Sequence, residues 1–416
     1  MKNFLKNLKL KRRIIAVLAA MHFFGNASVK LKIVGVTGTN GKTTTSTLLY
    51  KIATQLGHKA GLIGTVENII VDERRPALIT TPSPINLNKL LNEMASKGCE
   101  YVFMEVSSHA LDQKRLAGLK FAGGIFTNLT HDHLDYHKNF ANYFRAKKKF
   151  FKMLPKSAFA LTNADDESGQ KMLEGIKARK FSYGFKENTE VKPMYFNGEI
   201  KRLDFNGLEL KFNQTQVKSK LLGKFNAYNL LAIWSASKLL GFDMNKVNKI
   251  LEDIDPPRGR FEHFTSKNGV LVILDYAHTP DALENVFMTI REIKPKTGKI
   301  ISVFGCGGDR DSSKRPKMGS IGASFSDIAI FTSDNPRSED PDKIIYDMMD
   351  ALYPDTRAKV KLISDRREAI REAVKLAQKD DVILCAGKGH ENYQEIQGVK
   401  HHFDDMEELK KAYAKL

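Results

Sequence analysis

A glycine-rich turn with the sequence G-T-N-G-K-T separates a short apolar strand, predicted at Leu31 to Val36, from a helix. Gly38 and Gly41 allow backbone N–H groups to approach phosphate oxygens, and the N-terminus of the following helix attracts their negative charge. Lys42 adds a point charge, and the Thr43 hydroxyl can bind Mg²⁺. The turn therefore predicts a nucleotide-binding α/β fold, although its spacing is shorter than the full G-x-x-x-x-G-K-[ST] pattern.

Composition limits the class of protein. A chain of 416 residues, 42% of them hydrophobic, is long enough for two domains. The net charge of +18 suits polyanionic partners, but zinc-finger spacings, aromatic RNA-binding signatures and basic tails are missing, so nucleic acid is not a predicted partner. Cys99, Cys306 and Cys385 are distant in sequence, which is typical of buried thiols in a reducing compartment.

The N-terminal 28 residues form a segment of their own, in which six basic residues between Lys2 and Arg13 precede the apolar run Ile14 to Phe24. The pattern resembles a signal peptide, but a nucleotide-binding enzyme needs cytosolic ATP, which favours a cytoplasmic location. The run is too short to span a bilayer easily. Two interpretations stay open: a helix that packs on the protein, or one that lies on an anionic inner membrane surface.

The next part of the chain, residues 29–257, alternates helices and strands. Helices are predicted at Thr43 to Leu56 and Ile85 to Lys97, and buried strands at Tyr101 to Val106 and Gly124 to Leu129. This alternation is typical of a mainly parallel sheet, here in a P-loop-type ATPase domain. Asn-Gly pairs at 197–198 and 206–207 predict hairpin turns within a small β insert or edge.

Residues 258–416 repeat the α/β pattern and predict a second, Rossmann-like domain. Its strands are expected at Val270 to Leu274, Lys299 to Phe304, Ile328 to Thr332 and Val382 to Cys385. The prolines at 256–257 indicate a linker, for which we expect a hinge role.

Nine short motifs then follow one another in the order of a known family. They are Thr37-Gly-Thr-Asn-Gly-Lys-Thr-Thr, Thr80-Thr-Pro-Ser-Pro, Glu105-Val-Ser-Ser-His-Ala-Leu, Asp132-His-Leu-Asp-Tyr-His, Phe225-Asn-Ala-Tyr-Asn, Asp275-Tyr-Ala-His-Thr-Pro-Asp, Gly305-Cys-Gly-Gly-Asp-Arg-Asp, Asp334-Asn-Pro-Arg and Gly387-Lys-Gly-His-Glu. Each motif alone is weak, but nine in order are specific. From residue 31 to the C-terminus the chain resembles the Mur ligases. The resemblance implies an ATP-dependent, ADP-forming amide ligase of peptidoglycan biosynthesis that is a monomer and adds meso-diaminopimelate to a muramoyl-L-Ala-D-Glu acceptor.

Amide formation from a carboxylate and an amine places its own requirements on the residues of a site. A carboxylate becomes reactive towards an amine as an acyl phosphate, and the transfer of phosphate concentrates negative charge that cations must offset. Lys42 supplies one cation, and Glu105, at the end of an apolar strand, is placed to hold Mg²⁺. By resemblance, His133 binds a second Mg²⁺ and Lys147 is carbamoylated. Without the resemblance, the alternative interpretation is that Lys147, Lys148 and Lys149 form a solvated helix face and that His133 has a structural role.

The resemblance also assigns binding residues. For ATP they are Gly38, Thr39, Asn40, Gly41, Lys42, Thr43, Thr44, Asn229 near the adenine, and Arg260, Asp275 and His278 at the phosphates and ribose. For the muramoyl dipeptide they are Thr80, Thr81, Ser107, Ser108 and Asn128. For the amino acid they are Arg310, Asp334, Asn335, Arg337, Gly387 and Glu391.

Arg337 distinguishes between amino-acid substrates. A guanidinium can bind the distal carboxylate of meso-diaminopimelate through two hydrogen bonds, while Asp334 and Glu391 receive the ammonium group. Lysine lacks that carboxylate and would leave the arginine unpaired. The sequence Asp-Asn-Pro-Arg therefore favours meso-diaminopimelate.

One feature departs from the family, whose members carry an N-terminal domain that binds uridine diphosphate. Here only the basic and apolar segment precedes the glycine-rich turn. Either the uridine diphosphate is held weakly, or the acceptor is UDP-free or lipid-linked. A ligase of the folylpolyglutamate or cyanophycin type is the remaining alternative, although such an enzyme would not need the Asp334 and Gly387 motifs together.

Overall fold

The computed structural model describes residues 26–130, 132–186 and 194–415, which fall into two compact units. The first unit comprises residues up to 202 together with 208–220 and 224–254, and the second comprises 203–207, 221–223 and the residues from 255 onward. The helix predicted within residues 1–24 lies outside the described residues. Within the described ranges, no helix combines the length and apolarity needed to cross a membrane.

The first unit is built on an eleven-stranded, mostly parallel sheet in the order β11-β10-β9-β8-β7-β6-β1-β5-β2-β3-β4. Its strands are β1 (Lys32–Thr37), β2 (Ala60–Ile63), β3 (Glu67–Ile70), β4 (Glu73–Pro76), β5 (Tyr101–Glu105), β6 (Gly123–Phe126), β7 (Phe159–Asn163), β8 (Arg179–Gly184), β9 (Met194–Asp204), β10 (Gly207–Phe212) and β11 (Thr215–Ser219). The central strands are buried because helices pack on the sheet.

The helices of this unit are α1 (Lys42–Gln55), α2 (Pro84–Ser96), α3 (Ser108–Asp112), α4 (Leu134–His137), α5 (Phe140–Met153), α6 (Gly169–Met172), α7 (Lys224–Leu239) and α8 (Met244–Asp253). Helix α5 packs closely on the sheet, since a Cβ atom on Gly35 would lie 2.5 Å from the Phe150 ring. Strand β6 ends earlier than predicted, because the residues after Phe126 bind the glycine-rich turn instead. The Asn128 carbonyl accepts from the backbone N–H of Thr39 at 2.9 Å, and Thr127 Oγ1 donates to the Asn40 carbonyl.

The predicted hairpin at Asn197-Gly198 is wrong. Both residues lie within β9, and the turn forms only at Asn206-Gly207. Gly198 is explained by close packing, because a Cβ atom there would lie 2.6 Å from the Phe185 ring. Strands β9 to β11 extend the edge of the central sheet, which agrees with the small β insert or edge that the sequence predicted.

The second unit contains a six-stranded sheet in the order β12-β13-β17-β14-β15-β16 and a separate hairpin, β18-β19. Its strands are β12 (Arg260–Thr265), β13 (Leu271–Asp275), β14 (Ile300–Phe304), β15 (Ile328–Phe331), β16 (Val360–Leu362), β17 (Val382–Ala386), β18 (Tyr393–Ile396) and β19 (Val399–His402). Its helices are α9 (Pro280–Ile293), α10 (Arg315–Phe325), α11 (Pro341–Met349), α12 (Pro354–Arg357), α13 (Arg366–Leu376) and α14 (Asp405–Tyr413). Strands β13 to β17 are parallel and β12 is antiparallel at one edge, so the sheet is mainly parallel as predicted.

Candidate functional site

The glycine-rich turn follows β1 and is enclosed on two sides by side chains from later strands and helices. A Cβ atom on Gly38 would lie 1.8 Å from Thr127 Oγ1, and one on Gly41 would lie 2.4 Å from Asn229 Oδ1. Gly41 also has φ of 83°, which a side chain would strain. Both positions therefore require glycine.

Lys42 is the first residue of α1 and folds back over the turn. Its Nζ donates to the carbonyl oxygens of Gly38 at 3.0 Å and Thr39 at 2.7 Å. Thr44, the other predicted ATP residue of this helix, is buried. A cation thus lies directly at a helix N-terminus, where anions are already attracted.

Further hydrogen bonds hold the turn in place. The backbone N–H of Asn40 donates to Asn128 Oδ1 at 2.8 Å, and its carbonyl accepts from Thr127 Oγ1 at 2.6 Å. Thr39 Oγ1 lies 3.1 Å from the hydroxyl of Tyr143 on α5. The ends of β1 and β6 and helix α5 thus meet around one loop, as expected for the carboxyl edge of a parallel sheet.

Glu105, the last residue of β5, is 1% exposed and lies beside the same loop. Its carboxylate accepts from Thr43 Oγ1 at 3.0 Å and from the backbone N–H of Thr65 at 2.7 Å. A hydroxyl and a carboxylate in contact offer the hard oxygen ligands that Mg²⁺ prefers. The predicted pair is therefore brought together.

Lys147 lies on the inner face of α5 and is 1% exposed, although the sequence shows three consecutive lysines there. Its Nζ donates to the Gly38 carbonyl at 2.6 Å and lies 4.5 Å from the centre of the Tyr143 ring. Burial lowers the pKa of this amine well below its ordinary value, and the charge of Lys42 lowers it further. The structure therefore separates Lys147 from its neighbours Lys148 and Lys149.

His133 lies near this group in a small aromatic cluster. Its ring centre is 6.1 Å from that of Tyr143 and 4.9 Å from that of His109. Desolvation lowers the pKa of His133, with Asp132 opposing the shift and the charge of Lys147 adding to it. Within the described ranges, no cluster of three or more His, Cys, Asp and Glu side chains is arranged to hold a metal ion.

His109 and His137 are functional candidates that the sequence analysis missed. Buried His137 shares a hydrogen bond of 2.9 Å, through Nε2, with the hydroxyl of Ser108, and its ring centre is 5.6 Å from that of His109. Both histidines stand inside quoted motifs, so the motif itself was the available signal.

The predicted hydroxyl-bearing residues lie together where β5 ends. Thr81 Oγ1 donates to the Glu105 carbonyl at 2.8 Å and accepts from the backbone N–H of Ser107 at 3.1 Å. Thr80 accepts from Thr65 Oγ1 at 3.1 Å. Arg115, which the sequence analysis missed, donates to the Thr81 carbonyl at 2.6 Å and places a cation beside these hydroxyls.

In the second unit, Arg260 and Asp275 are paired across β12 and β13. The Asp275 carboxylate accepts from the backbone N–H of Phe261 at 2.8 Å, and the Arg260 guanidinium lies 5.0 Å from the centre of the Tyr276 ring. Arg260 Nε is buried, and among the described residues it has no hydrogen-bond partner. His278, on the same loop, is exposed. The predicted nucleotide residues of this unit thus lie on one short stretch of the sheet edge.

The predicted amino-acid residues converge at the ends of β15 and β17. Asn335 donates through Nδ2 to Asp334 Oδ1 at 3.0 Å and to Glu391 Oε2 at 2.8 Å. A Cβ atom on Gly387 would lie 2.5 Å from Asp334 Oδ2, and its φ is 106°. Burial raises the pKa of Glu391, and the nearby charge of Asp334 raises it further. Two carboxylates therefore share one amide in a confined acidic pocket.

Arg337 lies at the edge of this pocket with its side chain 18% exposed. Its guanidinium donates to the Gly308 carbonyl at 2.7 Å and pairs with Glu395 at 3.4 Å. Arg310 is exposed on the neighbouring loop, and among the described residues its side chain makes no hydrogen bond. The structure thus fixes Arg337, and Arg310 lies nearby, since a Cβ atom on Gly307 would be 3.0 Å from Arg337 Nη1 and 3.7 Å from Arg310 Cγ.

Two family models match the chain: "Mur ligase middle domain" at residues 36–236 and "Mur ligase, glutamate ligase domain" at residues 259–389. A protein of Bacteroides fragilis named "UDP-N-acetylmuramoyl-L-alanyl-D-glutamate--2,6-diaminopimelate ligase" is 52% identical over 95% of this chain and 81% of its own length. A Clostridium tetani protein of the same name is 42% identical over 98% of this chain and 83% of its own length.

Solved structures agree with these matches. One with that same name in its description is 35% identical, has a TM-score of 0.66 and covers 92% of this chain and 78% of its own. A folylpolyglutamate synthase from Thermotoga maritima has a TM-score of 0.68 over 91% of this chain and 90% of its own, but its 15% identity shows only a shared fold. The chain is a member of the Mur ligase family of ATP-dependent ligases.

Proposed function

We propose that this protein joins meso-diaminopimelate to a muramoyl-L-alanyl-D-glutamate acceptor. The names of the similar ligases support this substrate pair. The observation that carries the proposal is the acidic pocket of Asp334, Asn335 and Glu391 with Arg337 at its edge. The two carboxylates can bind an ammonium group of the amino acid. The guanidinium can bind a second, distal carboxylate.

The first unit would activate the acceptor. Its carboxylate attacks the γ-phosphorus of ATP, ADP leaves, and the acyl phosphate forms. Lys42, at the N-terminus of α1, offsets charge that develops on the transferred phosphate. Thr43 and Glu105 would hold Mg²⁺, which would neutralise phosphate charge when bound.

The amine of the amino acid then attacks the acyl carbon, and inorganic phosphate leaves. The amine must lose its proton before or during this attack. The attacking amine belongs to the other end of the substrate from the carboxylate that binds Arg337. It can therefore lose its proton while the ammonium group in the acidic pocket keeps its charge. The predicted hydroxyl-bearing residues Thr80, Thr81, Ser107 and Ser108, with Asn128, would position the acceptor dipeptide.

Carbamoylation of Lys147 is supported by its surroundings. Only a neutral amine attacks carbon dioxide, and the lowered pKa of Lys147 increases that neutral fraction. The product is an anion, which the positive charge of Lys42 would stabilise, since both side chains reach the Gly38 carbonyl. We propose that this carbamate and His133 act together at a second Mg²⁺.

Lys147→Ala should lower the rate of ligation by roughly 10-fold, because an anion that orients the metal site is lost. Added acetate or formate should restore part of the rate, since a small carboxylate can replace the missing group. Lys148→Ala is the matched control, because that lysine is adjacent and pairs with Glu174 near the surface. Full activity of Lys147→Ala, or a loss that no carboxylate restores, would contradict the carbamate.

The proposed function is tested by phosphate release from ATP with defined substrates. We expect rapid release with UDP-N-acetylmuramoyl-L-Ala-D-Glu and meso-diaminopimelate together, and little release when either is omitted. L-lysine in place of meso-diaminopimelate should give a much slower reaction. Release with dihydrofolate and glutamate, but not with the muramoyl pair, would instead favour a folylpolyglutamate type of ligase.

A further inference from the structure

A buried lysine that the proposed reaction does not use lies beneath the amino-acid pocket. Lys388 follows Gly387 at the end of β17, and its side chain is fully buried. Burial of an ammonium group is costly unless other groups compensate for its lost hydration. The contacts of Lys388 therefore indicate which groups its charge stabilises.

Three oxygen atoms surround the Lys388 ammonium. It donates to the carbonyl of Tyr393, and it lies 3.4 Å from both Asn335 Oδ1 and Glu391 Oε2. The chain turns back over this group, because the backbone N–H of Glu391 donates to the Lys388 carbonyl at 2.9 Å. The lysine and the glutamate are thus held on one tight turn.

These contacts fix the orientation of the Asn335 amide. Its Oδ1 accepts from Lys388 and, at 2.9 Å, from the backbone N–H of Glu395. Its Nδ2 must therefore point the other way, towards Asp334 and Glu391. An inverted amide would place its NH₂ group against an ammonium and an N–H donor, and its oxygen against two carboxylates.

The same arrangement leaves one oxygen of each carboxylate available. Asn335 binds Asp334 Oδ1 and Glu391 Oε2, so Asp334 Oδ2 and Glu391 Oε1 have no protein donor among the residues that the structure describes. Two like charges this close repel each other, and the repulsion favours protonation of one of them. The Lys388 charge opposes that tendency at Glu391.

We propose that Lys388 is a positioning residue of the amino-acid pocket, which fixes the Asn335 amide and pairs with Glu391 so that both carboxylates can bind the substrate ammonium. The inference rests on the proposed function, because it assigns the pocket to meso-diaminopimelate. Lys388 itself does not touch the substrate. Its effect passes through Asn335 and Glu391.

The test measures steady-state ligation by Lys388→Met with meso-diaminopimelate and with ATP varied in turn. The KM for meso-diaminopimelate should rise by roughly 10-fold, since a charged hydrogen-bonding group is lost, while the KM for ATP stays unchanged. Lys400→Met is the matched control, because that exposed lysine lies 4.0 Å from the centre of the same Tyr393 ring. It should behave as the wild type does.

A double-mutant cycle with Glu391→Gln separates positioning from general structural damage. The effect of Lys388→Met on the KM should become smaller when residue 391 carries no charge, and only the part that passes through Asn335 should remain. Equal effects in both backgrounds, or an equal rise in the KM for ATP, would overturn the inference. Should Lys388→Met not fold, Lys388→Gln is tested by the same cycle, because it retains a donor for the Tyr393 carbonyl without the charge.

The wild-type protein separates this inference from the proposed function. If it does not incorporate meso-diaminopimelate at all, the proposed function fails and the inference fails with it. If it is active and Lys388→Met has an unchanged KM, the inference alone is overturned.

Discussion

Lys42→Ala should lower kcat/KM for ligation by roughly 10³-fold, because removal of a charged donor at a developing phosphate charge has an effect of that order. The side chain lies at the N-terminus of α1 and folds over the turn, where its Nζ contacts two backbone carbonyl oxygens. Those carbonyls belong to the turn itself. The cation is therefore positioned before the phosphate arrives, and its loss should affect kcat as well as ATP binding.

Lys51→Ala is the matched control for this variant, because Lys51 lies on the same helix but nine residues away in sequence. The initial rate of ADP formation is measured for both variants and the wild type. Comparable thermal unfolding midpoints would show that the fold is retained. Near-native turnover by Lys42→Ala would mean that the turn does not bind the reacting phosphate.

Arg337→Ala should lower the preference for meso-diaminopimelate over L-lysine by roughly 10²-fold, since a site built to pair with a carboxylate strongly rejects an analogue that lacks it. The guanidinium is oriented by the Gly308 carbonyl and Glu395. Its removal should therefore weaken recognition of the distal carboxylate. The two substrates differ only in the distal carboxylate. The ratio of their kcat/KM values therefore isolates the contribution of this residue.

Arg357→Ala provides the control, because Arg357 is an exposed arginine at the end of α12 in the same unit. The ratio of kcat/KM values for this variant should match that of the wild type. An unchanged ratio in Arg337→Ala would show that another group binds the distal carboxylate. Arg310, exposed on the adjacent loop, would then be examined next.

Much of the fold and of the site's general location followed from local sequence rules. The glycine-rich turn and Glu105 lie where apolar strands of the first sheet end, and the Asp334 motif follows an apolar strand of the second sheet. Parallel strands bring such segments to one edge of their own sheet. Helix and strand bounds were generally predicted to within a few residues. The Asn197-Gly198 pair was misread, because glycine there avoids a clash with Phe185 and makes no turn.

The features that the sequence analysis missed depend on contacts between distant segments. In the sequence, Lys388 is one of several polar residues in a glycine-rich loop. Its burial depends on the turn that brings Glu391 back to it, which the sequence does not show. Arg115 reaches the Thr81 carbonyl across 34 positions of sequence. Periodicity and spacing carry no information about such pairs, because their geometry depends on how the sheet brings loops together.

The transfer of oxygen from the acceptor to phosphate tests the central claim most directly. Acceptor dipeptide labelled with ¹⁸O in its reacting carboxylate is incubated with ATP, meso-diaminopimelate and the full chain, and the released phosphate is analysed by mass spectrometry. Attack of the carboxylate on ATP, followed by attack of the amine on the acyl carbon, leaves one labelled oxygen on each phosphate. We expect that label together with a tripeptide product of the corresponding mass. Unlabelled phosphate, or ADP formed without tripeptide, would contradict ligation through an acyl phosphate.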